Sequence, residues 1–205
     1  MLLNLIDLYK KYDLKINGII HIGAHFGHEN SIYSKLGVQH RLFFEPIKKT
    51  FIELEKNVNC ENCVLVNKAL GNENGKIVMN VESRNMGQSS SILKPKKHLE
   101  QYPHIVFEST EEVDMIKLDD YNGDTLLKYN FINIDVQGYE LEVFKGSKKT
   151  LENIDYIMSE INRDEVYENC AKLNELIEFL TPYGFELVEQ TWDGGTWGDG
   201  FFIKK

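Results

Sequence analysis

Apolar positions along this chain follow two rhythms that alternate. Residues 18–23 (Gly-Ile-Ile-His-Ile-Gly) form a short apolar run bounded by glycine, which predicts a buried strand rather than a helix. Residues 28–36 read as a helix that closes at Gly37, a residue suited to a helix C-terminus. Residues 41–45 (Arg-Leu-Phe-Phe-Glu) predict a second strand. Pro46 then stands where a first helical residue belongs, and 46–57 carries Ile47, Phe51 and Leu54 at helical spacing. Residues 63–67 predict a third strand. This βαβαβ order implies a parallel sheet with right-handed crossovers. Ahead of it, the first twelve residues place Leu2, Leu3, Leu5, Ile6 and Leu8 in an amphipathic helix.

The middle of the chain changes character. Residues 75–81 and 111–118 alternate as strands do and are expected to pair antiparallel. Between them 82–109 is polar and loop-like, with Gly87-Gln-Ser-Ser-Ser91 and Lys94-Pro-Lys-Lys-His98. A polar stretch of that length inside a compact domain is usually functional. The α/β alternation then resumes, with a strand at 131–135, a helix at 139–151, a strand at 154–161 and a helix at 171–180. Two last strands at 185–190 and 200–203 flank a Gly- and Trp-rich segment, 192–199. The chain therefore reads as one domain over 1–205, with an N-terminal helix in 1–16 and an insertion over 72–118.

Composition narrows the function. With 205 residues, 42% apolar and 27% charged, the chain has the make-up of an ordinary globular domain, and no run is long enough to span a membrane. No basic leader with a cleavage site precedes the first helix, so a cytoplasmic location is expected. The net charge of -9 argues against nucleic acid, whose binding rests on neutralising phosphates. Three cysteines are few and odd in number. Cys60 and Cys63 form a C-x-x-C with no further ligands at zinc spacing, and they are expected to be free thiols beside a strand.

The candidate chemistry lies where the first strand turns. A Gly23-x-x-x-Gly27 loop allows close backbone approach to a ligand. Eighteen residues after Gly27, Glu45 ends the second strand, where a carboxylate accepts hydrogen bonds from ribose hydroxyls. Together they point to an adenosine-containing cofactor. A dinucleotide would prefer G-x-G-x-x-G, and His25 and His28 stand at its second and third glycine positions. S-adenosylmethionine, which has no phosphate, needs less of that geometry.

Several motifs then fall in order. His21-Ile-Gly-Ala-His25-Phe-Gly27, Phe44-Glu45-Pro46, Asn67-Lys-Ala-Leu-Gly71, Leu118-Asp-Asp120, Ile134-Asp-Val-Gln-Gly-Tyr-Glu140, Val143-Phe-Lys-Gly146 and Gly198-Asp-Gly-Phe-Phe202 resemble the FkbM family of S-adenosylmethionine-dependent methyltransferases. The resemblance implies a Rossmann-like class I methyltransferase fold: a seven-stranded, mostly parallel sheet whose last strand is antiparallel, here with a hairpin-like insertion after the third strand. It implies O-methylation of a sugar or natural-product hydroxyl, with S-adenosylhomocysteine as product. By position, His21, Gly23, Ala24, His25 and Gly27 would follow the methionine part of the cofactor. Glu45 with Pro46 would hold the ribose, Lys68 and Ala69 would flank the adenine, and Asp135 would stand at the reacting centre. The chain departs from the family pattern at His21, where an acid is usual, and at Gln137, where Glu is frequent.

Methyl transfer to a hydroxyl needs in-line alignment and removal of a proton. Asp135 is the candidate base and Glu160 its candidate assistant, each against a simpler role: cofactor or turn binding for Asp135, pairing with Arg163 for Glu160. No metal is expected, although hard cations do take such oxygens. Ser90, beside Ser89, is expected to close over the cofactor. Arg84, Lys94, Lys96 and Lys97 are candidates for the phosphates of a nucleotide sugar, against a plain solvated loop. Trp192 and Trp197 are candidates for sugar stacking. The expected acceptor is a small hydroxylated molecule, a sugar or nucleotide sugar. The competing readings are a non-catalytic cofactor-binding scaffold and a nicotinamide-dependent enzyme.

Overall fold

The computed structural model describes residues 2–121 and 123–205, with 123–125 described for their backbone only. In chain order its elements are α1 (Leu5–Lys11), β1 (Gly18–Ile22), α2 (Asn30–Lys35), β2 (His40–Phe44), α3 (Lys48–Asn57), β3 (Cys63–Val66), β4 (Ala69–Leu70) and β5 (Gly75–Glu82). There follow α4 (Lys97–Gln101), β6 (Phe107–Ile116), β7 (Phe131–Ile134), α5 (Glu140–Lys145), β8 (Tyr156–Asn162), α6 (Leu173–Leu180), β9 (Phe185–Trp192) and β10 (Trp197–Lys204).

Seven strands form the main sheet in the order β3-β2-β1-β7-β8-β10-β9. The pairs β1/β2, β1/β7, β2/β3 and β7/β8 are parallel, and β10 runs antiparallel to both β8 and β9. This is the sheet that the βαβ alternation and the resemblance implied. Its order reverses between β1 and β7, and ligands bind at the carboxyl ends of strands at such a switch point.

The two-residue period of the strands divides the core. On β1, Ile20 and Ile22 face one side with Ile132, Ile134, Phe144, Ile157 and Leu176. Ile19 faces the other with Phe43, Phe131, Leu5, Leu8, Tyr33 and Leu54. Leu5 and Leu8 of α1 are 2% and 3% exposed. Burial of each is worth roughly 1.5–3 kcal/mol, which holds this short helix to the sheet. Asn4 caps it, its side chain accepting from the N–H groups of Ile6 and Asp7. No helix among the described residues is long and apolar enough to cross a membrane.

A second sheet, β4-β6-β5, stands apart from the first. β5 and β6 pair antiparallel from Gly75↔Met115 to Glu82↔Phe107, and β4 joins β6 in parallel. Buried Glu82 organises the loop that follows, accepting from the N–H groups of Arg84, Asn85 and Gly87. Residues 82–109 are thus a built turn with a short helix, α4, rather than a featureless loop.

Several sequence expectations shift. The second helix starts at Asn30 rather than His28, because Gly27 and Asn30 close successive turns on Ala24 and Gly27. Pro46 is not helical. Ile47 is extended and its N–H is taken by Glu45 Oε1 at 2.9 Å, so α3 starts at Lys48. The long helix expected at 139–151 ends at Lys145. Gly146 sits against the carbonyl of Gly71, where a Cβ would lie 1.9 Å from that oxygen, and a 3₁₀ turn at Thr150–Asn153 follows. The last two strands are longer than expected and leave only 193–196 as a loop. Gly198, which read as a loop residue, lies within the ladder, and the backbone of Thr191 leaves no room there for a side chain. Cys60 and Cys63 are not free thiols: a turn closed by the Cys63 N–H on the Cys60 carbonyl brings their Cα atoms to 5.3 Å, and they are joined as a disulfide.

Candidate active site

The start of the loop after β1 is held by backbone contacts. The N–H groups of Gly23 and Ala24 both donate to the carbonyl of Phe44, at 3.0 and 2.9 Å. Gly23 has φ +77°, and a Cβ there would lie 1.9 Å from the carbonyl oxygen of Asp135. Only glycine lets the loop pass that close to the end of β7. Gly27 needs glycine for another reason: its Cβ would strike Val58 and Leu54 of the α3 region at 2.5 and 2.6 Å. Gly27 lines neither cavity described below, so it seats the loop rather than facing a ligand.

Two spaces open at this loop and share Gly23, His25, Gln88, Asp135 and Gln137. The narrower is a slot of about 60 Å³. Its walls are apolar (Ile47, Leu70, Met79, Ile92), and Glu45, Pro46, Lys68, Ala69 and Ser90 also line it. The wider is a cavity of about 520 Å³, lined by His21, Ala24, Ser89, His98, Tyr102, Glu160 and Trp197 among others.

Glu45 sits in the slot at 5% exposure. Its Oε2 accepts from the His25 N–H at 3.0 Å and its Oε1 from the Ile47 N–H at 2.9 Å. Each oxygen keeps a second acceptor position. Burial pushes its pKa up to about 7, against the opposing pull of these two N–H groups. Asn67 locks the turn behind it, donating to the carbonyls of Glu45 and Pro46 at 2.9 and 2.8 Å. An apolar slot ending in a carboxylate with two free acceptor positions suits a purine riboside. The volume is well below the roughly 300 Å³ at which ligand pockets begin, so a nucleoside enters only as the slot's wall moves. Beside the slot, His25 Nε2 contacts the Met86 carbonyl at 2.8 Å.

His21 is 4% exposed and stands on the α2 side of the sheet. Asn133 Nδ2 donates to the Tyr33 hydroxyl at 2.7 Å, and that hydroxyl lies 3.1 Å from His21 Nδ1. With its acceptor side used by Asn133, the hydroxyl donates to Nδ1. Burial lowers the imidazole pKa, so the ring is neutral and carries its proton on Nε2. Where an acid would accept, this residue donates.

At the junction of the two spaces stand three carboxylates. Asp135, Glu140 and Glu160 each offer an oxygen within 4.8 Å of the others. Gln137, at φ +55°, reaches between two of them: its Nε2 donates to Asp135 at 2.7 Å and to Glu160 at 2.6 Å, while its Oε1 accepts from the Tyr167 hydroxyl at 2.8 Å. Glu140 Oε1 accepts from the N–H groups of Val136 and Gly138 and fixes the turn. Burial, and after it the charge of Asp135, holds the Glu160 pKa well above the carboxylate range, and a hydrogen bond to Asp135 raises it further. This shift favours the protonated form of Glu160. Asp135 and Glu160 are joined through the Gln137 amide, which donates to both.

Other candidates fall elsewhere. Glu160 is bound by Gln137 and not by Arg163, whose guanidinium lies 3.7 Å over the Trp192 ring. Arg84, Lys96 and Lys97 are paired with Glu108, Glu165 and Asp164. Trp197 lines the wide cavity and donates to the Tyr102 hydroxyl at 2.8 Å, but Trp192 does not line it. Sequence reasoning missed Met79 and Ile92 in the slot and His98, Tyr102 and Tyr167 around the cavity. None of these belongs to a motif, and only the fold of the second sheet and α4 carries them to β7 and β8. Gln137 was visible beside Asp135, but its bridging role was not.

The family described as Methyltransferase FkbM domain matches residues 21–187. Over 180 residues the chain is 30% identical to the 2-O-methyltransferase NoeI of Sinorhizobium fredii (strain NBRC 101917 / NGR234), a match that covers 84% of this chain and 73% of that protein. Among solved structures it resembles the ribosomal protein L11 methylase of Lactobacillus delbrueckii subsp. bulgaricus, with a TM-score of 0.54, 12% identity, and coverage of 98% of this chain and 76% of that one. It also resembles the magnesium protoporphyrin IX methyltransferase of Synechocystis PCC 6803 with bound SAM, with a TM-score of 0.52, 8% identity, and coverage of 98% and 77%. At these identities the structural matches speak for the fold alone.

Proposed function

As the chain belongs to the FkbM family of S-adenosylmethionine-dependent methyltransferases, we propose that it methylates a hydroxyl of a small acceptor of the sugar class. The observation that carries this reading is the meeting of the slot and the wide cavity at Gly23, Asp135 and Gln137. A cofactor with its nucleoside in the slot presents its other end to an acceptor in the cavity. Glu45 takes the ribose hydroxyls, and Ile47, Leu70, Met79 and Ile92 flank the base. His21, a donor from Nε2, suits the carboxylate of the methionine part rather than its ammonium group.

When bound, S-adenosylmethionine supplies an electrophilic methyl on a sulfonium. The acceptor oxygen forms the new C–O bond as the C–S bond breaks, and the hydroxyl proton passes to Asp135 late in that step. Glu160, whose protonated form burial favours and which the Gln137 amide links to Asp135, steadies the carboxylate before it takes up the proton. The mixed lining of the wide cavity, with Trp197 and Tyr102 beside polar Ser89, Asn85 and Gln88, fits a hydroxylated ring better than an apolar one. The match to a protein named as a 2-O-methyltransferase favours oxygen as the atom modified.

Titration calorimetry with S-adenosylhomocysteine, beside NAD, tests the cofactor site: the former binds and the latter does not. Methyl transfer from labelled S-adenosylmethionine to a panel of sugars and nucleotide sugars then tests the acceptor class. Transfer only to amines or proteins would overturn it.

A further inference from the structure

The wide cavity collects imidazoles. Five of the chain's six histidines line it: His21, His25, His28, His98 and His104. The carboxyl groups of Glu29, Asp135 and Glu160 line it too, and among the described residues no lysine or arginine does. Burial lowers the pKa values of His21, His25 and His98, which favours the neutral ring at each. The lining therefore offers hydrogen-bonding groups and negative charge but no permanent cation.

Of these imidazoles, His98 is the most tightly set. It is 4% exposed and belongs to α4. Its ring packs against Tyr102, Phe107 and Tyr167, at centroid distances of 5.1, 5.5 and 5.4 Å. The short helix is itself held on two sides. The N–H groups of Lys96 and His98 donate to the carbonyl of Val166 at 2.9 and 3.1 Å. Tyr102, just after α4, accepts the Trp197 indole N–H at 2.8 Å and donates to Asp193 at 3.1 Å, and Thr196 donates to Gln101 at 2.9 Å. A ring fixed in this way and facing a cavity is pre-organised for whatever the cavity receives.

The two nitrogens of His98 differ. Nδ1 is sealed and has no hydrogen-bond partner. Nε2 also lacks a partner among the described residues, but it is not sealed, so it is the polar atom that His98 turns to the cavity. Buried N–H groups are left unpaired less readily than buried acceptors, which puts the proton on Nε2. His98 then holds out one N–H that no group of the protein receives. Tyr167, on which the ring packs, bonds through its hydroxyl to Gln137 Oε1 at 2.8 Å, and Gln137 Nε2 bonds to Asp135 at 2.7 Å. Two side chains thus separate this donor from the reacting centre.

We propose that the wide cavity takes an uncharged hydroxylated ring rather than a nucleotide sugar, and that His98 orients this ring through a hydrogen bond from Nε2 to one of its hydroxyls. The inference rests on the methyl-transfer reading above and narrows its acceptor. The diphosphate of a nucleotide sugar is bonded to the sugar ring, so it would enter beside Asp135 and Glu29 with no guanidinium or ammonium group to meet it. The nearby cations Arg84, Lys96 and Lys97 are already paired with carboxylates. An uncharged ring meets no such repulsion. An analogue lacking the contacted hydroxyl leaves a fixed donor unpaired, so His98 is a specificity-determining residue.

The test is methyl transfer from labelled S-adenosylmethionine to the methyl glycosides of glucose, mannose, galactose and rhamnose, to UDP-glucose and GDP-mannose, and to glucosamine. The best uncharged glycoside should exceed both nucleotide sugars at least tenfold in kcat/KM. For that glycoside, H98F should raise KM at least tenfold, with affinity for S-adenosylhomocysteine within twofold of wild type. H98Q, which keeps a donor near the Nε2 position, should recover part of the loss. Among the monodeoxy forms of the same glycoside, one should lose at least tenfold in kcat/KM with wild type and less than twofold with H98F. A packing role for His98 does not produce that coupling. H98N, whose amide falls short of the Nε2 position, takes the place of H98F if the latter no longer binds S-adenosylhomocysteine. A nucleotide sugar or glucosamine as the best acceptor overturns the uncharged ring and leaves sugar methylation standing. Losses that are equal in wild type and H98F for every deoxy form overturn the role of His98. No transfer to any of these sugars overturns the acceptor class proposed above and this inference with it.

Discussion

Glu45 offers the sharpest test of the cofactor site, because its burial makes binding depend on pH. In the free protein burial raises its pKa to about 7 from the ordinary 4.5 of a glutamate. Ribose hydroxyls donate to the ionised form, so only the carboxylate state binds well. With a pKa near 7, roughly a tenth of the molecules are ionised at pH 6 and roughly nine-tenths at pH 8. Affinity for S-adenosylhomocysteine should therefore rise up to about tenfold between those pH values, about 1.4 kcal/mol, and level off above pH 8. Binding near pH 6.5 should release a fraction of a proton, seen by calorimetry in two buffers of different ionisation enthalpy. Burial lowers the pKa values of His21 and His25, the opposite direction to the Glu45 shift. Glu45→Gln keeps the shape and removes the titration, so it should bind more weakly and without a pH slope. The sign for folding is opposite. An acid whose folded pKa is raised costs stability as pH climbs from about 4.5 to about 7, here about 3 kcal/mol in the absence of ligand. Ligand-free Glu45→Gln should thus be more stable than wild type at pH 8 in urea unfolding, while binding less. A flat affinity profile for the wild type, or an unchanged slope in Glu45→Gln, would refute the reasoning.

Three further outcomes are expected. Gly23→Ala places a Cβ 1.9 Å from the Asp135 carbonyl at φ +77°, and should cost more than about 3 kcal/mol in urea unfolding. Tyr33→Phe strands His21 Nδ1 and Asn133 Nδ2 in a buried setting, and should lower unfolding free energy by about 1–3 kcal/mol. Asp135→Asn should reduce kcat by about 10²–10⁴ for any acceptor found, with affinity for S-adenosylhomocysteine within a few-fold of wild type by calorimetry; an unchanged kcat would remove Asp135 as the base.

The parts legible in the sequence were those set by near neighbours. The run from Gly18 to Ile22 reads as a strand because apolar residues bounded by glycine suit a buried ladder, and it is one. Gly23 and Glu45 stand in the slot because a glycine after the first strand and an acid at the end of the second fall at the same edge of any parallel sheet. The βαβ alternation determined the sheet itself. The helix ends were less legible: whether Pro46 opens α3 depended on where the Glu45 side chain turned, and Gly198 looked like loop until the Thr191 backbone was seen against it.

What only the tertiary structure decided is which side chains meet. Gln137 bridges Asp135 and Glu160 because β7 and β8 pair in one register, and Tyr167 closes that bridge from a segment with no motif. His21 becomes a neutral donor because Asn133 stands opposite it on β7 and Tyr33 reaches down from α2. Arg84, Lys96 and Lys97 looked like phosphate ligands, yet carboxylates satisfy them. Local pattern settles backbone hydrogen bonding and the face a residue takes. The charge, proton and partner of a buried polar group depend on groups far away in the chain, because desolvation and pairing act through space and not along sequence.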